Sequence, residues 1–230
     1  MNNIQKYSGP SIPPKKNKHR QSESGNVLFY ILIAVVLFAA LNFTVGNMMR
    51  GGNADMIGEE QAKLYAGEIL DYARILKQGV QEMRINSGCN DSDIRFVASQ
   101  TTGYGASVNN NCDIFHPSGG DVNYVPPNND YGTGTEWLFV GANTVAGVGT
   151  ASPDLVAILQ NVNPQICTAI NDKLGVAAIT DDTDGVAYSK FTGTYASSEQ
   201  IDVAGNQSAA CMNDTTTGGG NFFFQTILVR

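Results

Sequence analysis

The chain is predicted to be α+β: a long N-terminal helix, its first half transmembrane, packed on a mainly antiparallel β-sheet. Three observations predict it. An apolar run without charge spans Val27–Val45. A single apolar stripe follows at three- and four-residue spacing: Tyr65, Ile69, Tyr72, Leu76, Val80 and Met83. The remainder is rich in Gly, Asn, Ser and Thr, alternates short apolar runs with turn signals, and holds all four cysteines.

Residues 1–25 form a basic leader. Pro10, Pro13 and Pro14 precede Lys15, Lys16, Lys18 and Arg20, and no apolar periodicity accompanies them. Residues 26–52 follow as a transmembrane helix and a glycine-rich break. The nineteen uncharged residues of Val27–Val45, at about 1.5 Å each, reach across a hydrocarbon core of about 30 Å. Gly46, Gly51 and Gly52 then interrupt the helical pattern. Residues 53–87 are an amphipathic helix. Asn53 or Asp55 is the expected cap, Glu59 and Glu60 suit the positive end of the helix dipole, and Ser87-Gly88 closes the element.

Residues 88–230 are expected to be a β-rich extracytoplasmic domain. Ile94–Ala98, Glu136–Gly141, Val186–Phe191 and Phe222–Val229 are the strand candidates. A helical pair is expected among them, one segment starting at Ser152-Pro153 and a second at Asn163-Pro164 that ends at Gly175. The terminal strand is apolar in both registers, Phe222-Phe224 and Phe223-Ile227, which places it centrally in the sheet, against the stripe of the long helix.

Charge sets topology and narrows the partners. The net charge is −7, but five of the fourteen cations lie in the leader; from Asn26 onward nine Lys and Arg face twenty Asp and Glu. A domain this acidic repels phosphate backbones, so no nucleic-acid partner is expected. The basic flank keeps the N-terminus cytoplasmic and sends the rest across the inner (cytoplasmic) membrane. Cys89, Cys112, Cys167 and Cys211 then all lie on the oxidising side, where an even count indicates two disulfides. Three connectivities are open. Cys89–Cys112 with Cys167–Cys211 closes the shorter loops and is the favoured one.

Chemistry-bearing motifs are sparse. His116 is the sole histidine outside the leader and sits in a Phe-His-Pro-Ser-Gly loop without a nucleophile motif, so no catalytic residue and no enzyme activity are expected. Asp181-Asp182-Thr183-Asp184-Gly185 offers Asp182 and Asp184 as weak calcium candidates; the spacing and terminal Glu of a full calcium loop are missing, and an acidic β-turn is the stronger reading. No cofactor is expected otherwise.

A signal-peptide core is shorter and is followed by small residues at its cut. Here the small residue, Gly25, precedes the apolar run, so cleavage before Asn26 would remove the charged leader and keep the helix. Basic leader, Gly25, apolar run and the amphipathic continuation together resemble the N-terminus of the type IV pilin and pseudopilin superfamily. The resemblance implies cleavage by a prepilin peptidase, retention of the N-terminal helix, and assembly with other pilin-like subunits into a filament for secretion or surface display. The sequence departs from the family at two places. The mature chain would begin with Asn26 rather than Phe or Met, and Tyr30 stands where most members carry Glu at mature position five. The missing Glu favours a minor or divergent subunit, or an uncleaved anchor. The alternative is a monomeric, signal-anchored extracytoplasmic binding or adhesive domain.

Overall fold

In the computed structural model, which describes residues 29–41, 58–196, 199–216 and 219–230, residues 29–41 form one helix, α1, with every side chain exposed. This segment belongs to one compact unit, Met1–Asn53, and the remaining elements belong to a second, Ala54–Arg230. Among the described residues no helix is long and apolar enough to cross a membrane. Both ends of the expected span, and the break at Gly46, Gly51 and Gly52, lie outside the described residues.

The second unit starts with α2 (Glu59–Asn86). The helix begins at Glu59, six residues into the expected range 53–87; its N-cap is Gly58, which offers no side-chain cap, and the expected caps Asn53 and Asp55 lie outside the described residues. Glu59 and Glu60 occupy the first turn and Ser87 closes the last. Its buried face holds Tyr65, Ile69, Leu76, Val80 and Met83, as the stripe required, with Ala62, Ala66, Ala73 and Gly79 between them. Gly79 lets the helix sit close to Ile114 and Val122, since a Cβ there would come within 2.8 Å of the Val122 side chain. Tyr72 is partly buried, its ring tilted at 56° to that of Trp137 with centroids 5.4 Å apart.

Six strands form one mixed sheet: β1 (Trp137–Val145), β2 (Asp154–Leu159), β3 (Asp181–Asp182), β4 (Glu199–Ile201), β5 (Ala209–Asp214) and β6 (Gly220–Leu228), in the order β3-β5-β6-β2-β1-β4. The four long strands pair antiparallel; the two short edge strands, β3 and β4, pair parallel to their neighbours. Helix α3 (Pro164–Leu174) connects β2 to β3. It follows its sequence signals: the Asn163 side chain accepts the Gln165 N–H, Pro164 opens the first turn, and Gly175 ends it in the left-handed region at φ 71°.

Both sheet faces are covered. Trp137 and Phe139 of β1, Leu155, Ala157 and Leu159 of β2, and Phe223 and Ile227 of β6 join α2 and α3 in one core. The alternate residues, Leu138, Val140, Val156, Ile158, Phe222 and Phe224, form a second core with Val186, Ile201 and Val203. The sheet curls around this second core until its edges meet: the N–H of Asp202, just after β4, donates to Asp182 Oδ2 in β3 at 3.0 Å. β6 is central, between β5 and β2, as its two apolar registers demanded.

Several elements differ from expectation, each for a local reason. Residues 154–159 are strand β2, not a helix after Ser152-Pro153. All six are buried, and a helix on one face of the sheet cannot bury every side while a strand between two covered faces does. Ile94–Ala98 makes one bridge, Arg95 with Asp113, and no strand. Its next two amides are taken by side chains, Val97 N–H by Asp113 Oδ1 and Ala98 N–H by Thr101 Oγ1, so no ladder can extend. Val186–Phe191 likewise makes one bridge, Lys190 with Val140. Here the Asn143 carboxamide acts as the strand partner, donating to Ala187 O and accepting Ala187 N–H, both at 2.8 Å. β1 bulges between Val140 and Asn143, at Gly141, where a Cβ would come within 2.5 Å of the Phe191 ring. β3, β4 and β5 were not anticipated.

Candidate functional site

Gly25 and Asn26, the expected cleavage pair, lie outside the described residues. The four cysteines are paired Cys89–Cys112 and Cys167–Cys211, the sequential connectivity. The first bridge holds the segment after α2 to the loop at Asn110–Cys112. The second joins α3 to β5 and is completely buried. One turn after Cys167, the Asn171 carboxamide donates to Cys211 O and accepts Cys211 N–H, both at 2.8 Å, so two devices on α3 grip the same residue of β5.

Two tyrosine–carboxylate pairs fasten the Asn129–Tyr131 turn to α2. Tyr65 donates to Asp130 Oδ2 at 2.7 Å, and Tyr131 donates to Glu68 Oε2 at 2.9 Å. The two rings meet edge to face with centroids 5.5 Å apart. Burial first, and then the Glu68 carboxylate, push the Tyr131 hydroxyl far above the ordinary tyrosine range, so it stays a donor.

Asp182 is fully buried in β3. Its Oδ1 accepts Gly185 N–H at 2.8 Å and its Oδ2 accepts Asp202 N–H. Burial raises its pKa, and the amide bonds oppose that shift. Both oxygens therefore serve a turn and the sheet closure, while Asp184 is exposed on the loop. Among the described residues no three His, Cys, Asp or Glu side chains gather to hold a metal ion. His116 accepts Ser118 N–H at Nδ1, 3.1 Å away, and shapes its own loop.

The outer face of α2 leaves Leu64, Ile75 and Ile85 exposed. Beside it lies a cleft of about 570 Å³ between α2, the end of α3 and the facing ends of β5 and β6. Its cations are Arg74, Lys77 and Lys173; Leu70, Leu174 and Ala209 supply apolar lining, and Gln207, Ser208 and Gln225 supply polar lining. Gly67 lies beside Lys173: a Cβ there would stand 3.9 Å from its Nζ, an ordinary contact.

The ion-pair pattern singles this cleft out. Of eight Lys and Arg among the described residues, six have partners. Lys63 pairs with Glu59, Arg74 with Asp71, Arg84 and Arg230 with Asp91, and Lys190 with Glu136. Arg95 donates to the carbonyls of Ser92 and Ile94. Lys77 and Lys173 have no ion-pair or hydrogen-bond partner among the described residues, and both line this cleft. Sequence reading missed it because its residues come from four separate elements and no spacing links them.

No protein-family model, curated protein or solved structure matches the chain.

Proposed function

We propose that the chain is a structural subunit, minor or divergent, of a type IV pilus-like or secretion pseudopilus filament. It is held in the inner membrane by Val27–Val45 with its globular unit extracytoplasmic, and it assembles through that apolar helix. The observation that carries this reading is the order of parts. An uncharged apolar segment, helical over residues 29–41, starts directly after Gly25, and a 28-residue amphipathic helix precedes a disulfide-tied α+β unit. The apolar side chains of α1 are exposed within their own unit, so they need lipid or neighbouring apolar stems around them. Tyr30 puts no carboxylate into that environment, where an unpaired one would be costly.

A prepilin peptidase would cut between Gly25 and Asn26. The five leader cations would otherwise be dragged into an apolar filament core, at a large desolvation cost. Intact-mass analysis of the wild type and of Gly25→Val tests this. The wild type should begin at Asn26 and appear in sheared filaments; the variant should keep its leader, remain in the membrane and be absent from filaments. Identical, unprocessed N-termini would overturn the filament reading and leave the second one, an anchored extracytoplasmic binding domain. That second reading draws its support from the unpaired cations of the cleft.

A further inference from the structure

We propose that the cleft between α2, α3 and the β5–β6 edge binds an anionic saccharide, a uronic-acid chain whose carboxylates meet Lys77, Lys173 and Arg74. The site serves equally on a filament subunit and on an anchored domain.

The charge pattern comes first. Everywhere else among the described residues a cation is matched by a carboxylate or by carbonyls; here two amines are left without a partner in a strongly acidic chain. Asp71 is the one carboxylate lining the cleft, and Arg74 holds it at 3.0 Å. Three cations against one carboxylate leave the cleft positive, and the acidic surroundings keep other anions from accumulating at random sites.

The remaining lining selects the kind of anion. Gln225 uses its Nε2 on the carbonyls of Ser208 and Thr226, leaving its Oε1 without a partner among the described residues. The Gln207 amide and the Ser208 hydroxyl have no partner there either. Amide and hydroxyl groups of this kind exchange hydrogen bonds with the hydroxyls of a sugar ring, and the Leu70 and Leu174 side chains in the lining suit its C–H face. No aromatic ring lines the cleft, so stacking cannot supply the affinity and the charges must. Three cations are too few for a nucleic-acid track, which needs a run of phosphate contacts.

The test is fluorescence-anisotropy titration of the full chain in mild detergent with a labelled hexagalacturonate. Neutral maltohexaose, inorganic phosphate and a short single-stranded DNA serve as competitors. The wild type should bind the uronate, with affinity falling as salt rises, and none of the three competitors should displace it at matched concentration. Lys77→Gln with Lys173→Gln should weaken binding at least tenfold while leaving the thermal midpoint unchanged, because neither amine has a partner to lose. Gln207→Ala should weaken binding without changing its salt dependence. Absence of uronate binding, uronate binding that the double lysine variant retains in full, or displacement by phosphate, by DNA or by the neutral sugar would each overturn the proposal.

Discussion

Replacing Asn171 by alanine should cost the globular unit about as much as deleting a large core side chain, although Asn171 is polar and lies on a short helix. The reason is where its hydrogen bonds go. Asn171 is 2% exposed and Cys211 is fully buried. β3 pairs with β5 only at Asn213 and Asp214, so at Cys211 that edge has no strand beside it. The Asn171 carboxamide takes the strand's place, satisfying both backbone groups of Cys211 and reaching Ala178 O at 3.2 Å. Asn171→Ala strands a buried N–H and a buried C=O, at roughly 1–3 kcal/mol each. Alanine's better helix propensity returns about 0.6 kcal/mol. The net loss should be about 3 kcal/mol, equivalent to roughly 6–12 °C in thermal midpoint for a unit of this size. Urea titration of the full chain in mild detergent can follow the single tryptophan, Trp137, which is buried between Tyr72 and Phe223. Thr168→Ala, on the exposed side of the same helix, is the control and should be near neutral. A loss below about 1 kcal/mol for Asn171→Ala would refute the reasoning, because it would mean that water or the strand itself satisfies Cys211 without the carboxamide.

Two further outcomes follow from the same unit. Removing Cys167–Cys211 as a double alanine variant should destabilise more than removing Cys89–Cys112: their sequence separations of 44 and 23 residues correspond to about 4.0 and about 3.4 kcal/mol of loop entropy, and Cys167–Cys211 is also the more deeply buried. The reverse order in urea titration would refute this. Asp154 is fully buried; its Oδ1 accepts Arg230 N–H at 2.8 Å, while its Oδ2 has no hydrogen-bond partner among the described residues. Burial raises its pKa against the pull of the Arg230 and Val145 backbone amides and of the Arg230 charge. A carboxyl whose folded pKa is raised contributes stability below its unfolded value near pH 4, and that contribution is lost as pH rises through the folded value. Asp154→Asn should therefore gain stability relative to wild type as pH rises from 4 to 7. A difference in thermal midpoint that stays flat with pH, or shrinks, would show that the carboxyl carries no burial penalty.

Periodicity revealed what depends on one face. The α2 stripe, the Asn163-Pro164 start and Gly175 end of α3, and the two-register strand β6 each rest on signals contained within a few residues, and the structure places them accordingly. β2 could not be read that way. After Asp154, Leu155–Leu159 is apolar throughout because a sheet with two covered faces buries both registers, and a short uniform apolar run carries no period to separate strand from helix. The misleading signal was Ser152-Pro153, a helix-start pattern followed by a strand. Ile94–Ala98 and Val186–Phe191 had the composition of strands, but their backbone partners are the side chains of Asp113, Thr101 and Asn143, and nothing in a strand's own sequence announces that a distant carboxamide will replace a neighbour.

The cleft was hidden for a related reason that concerns charge. Net charge describes the far field, and a strongly negative chain does repel a polyanion at a distance. Beyond a screening length of about 8 Å at physiological salt, however, that average loses its hold, and a ligand at the surface responds to the groups in contact with it. Five of the eight cations among the described residues are cancelled locally by Asp71, Asp91, Glu59 and Glu136, and Arg95 donates to backbone carbonyls. The folding of α2 against α3 and β5–β6 then brings the two uncancelled ones, Lys77 and Lys173, into the lining of one cleft. The same composition that disfavours long polyanions thus permits a short one, provided that its charges are few and its length fits the cleft. A uronate oligomer meets that condition, whereas a nucleic acid extends past the cleft and over the acidic surface around it.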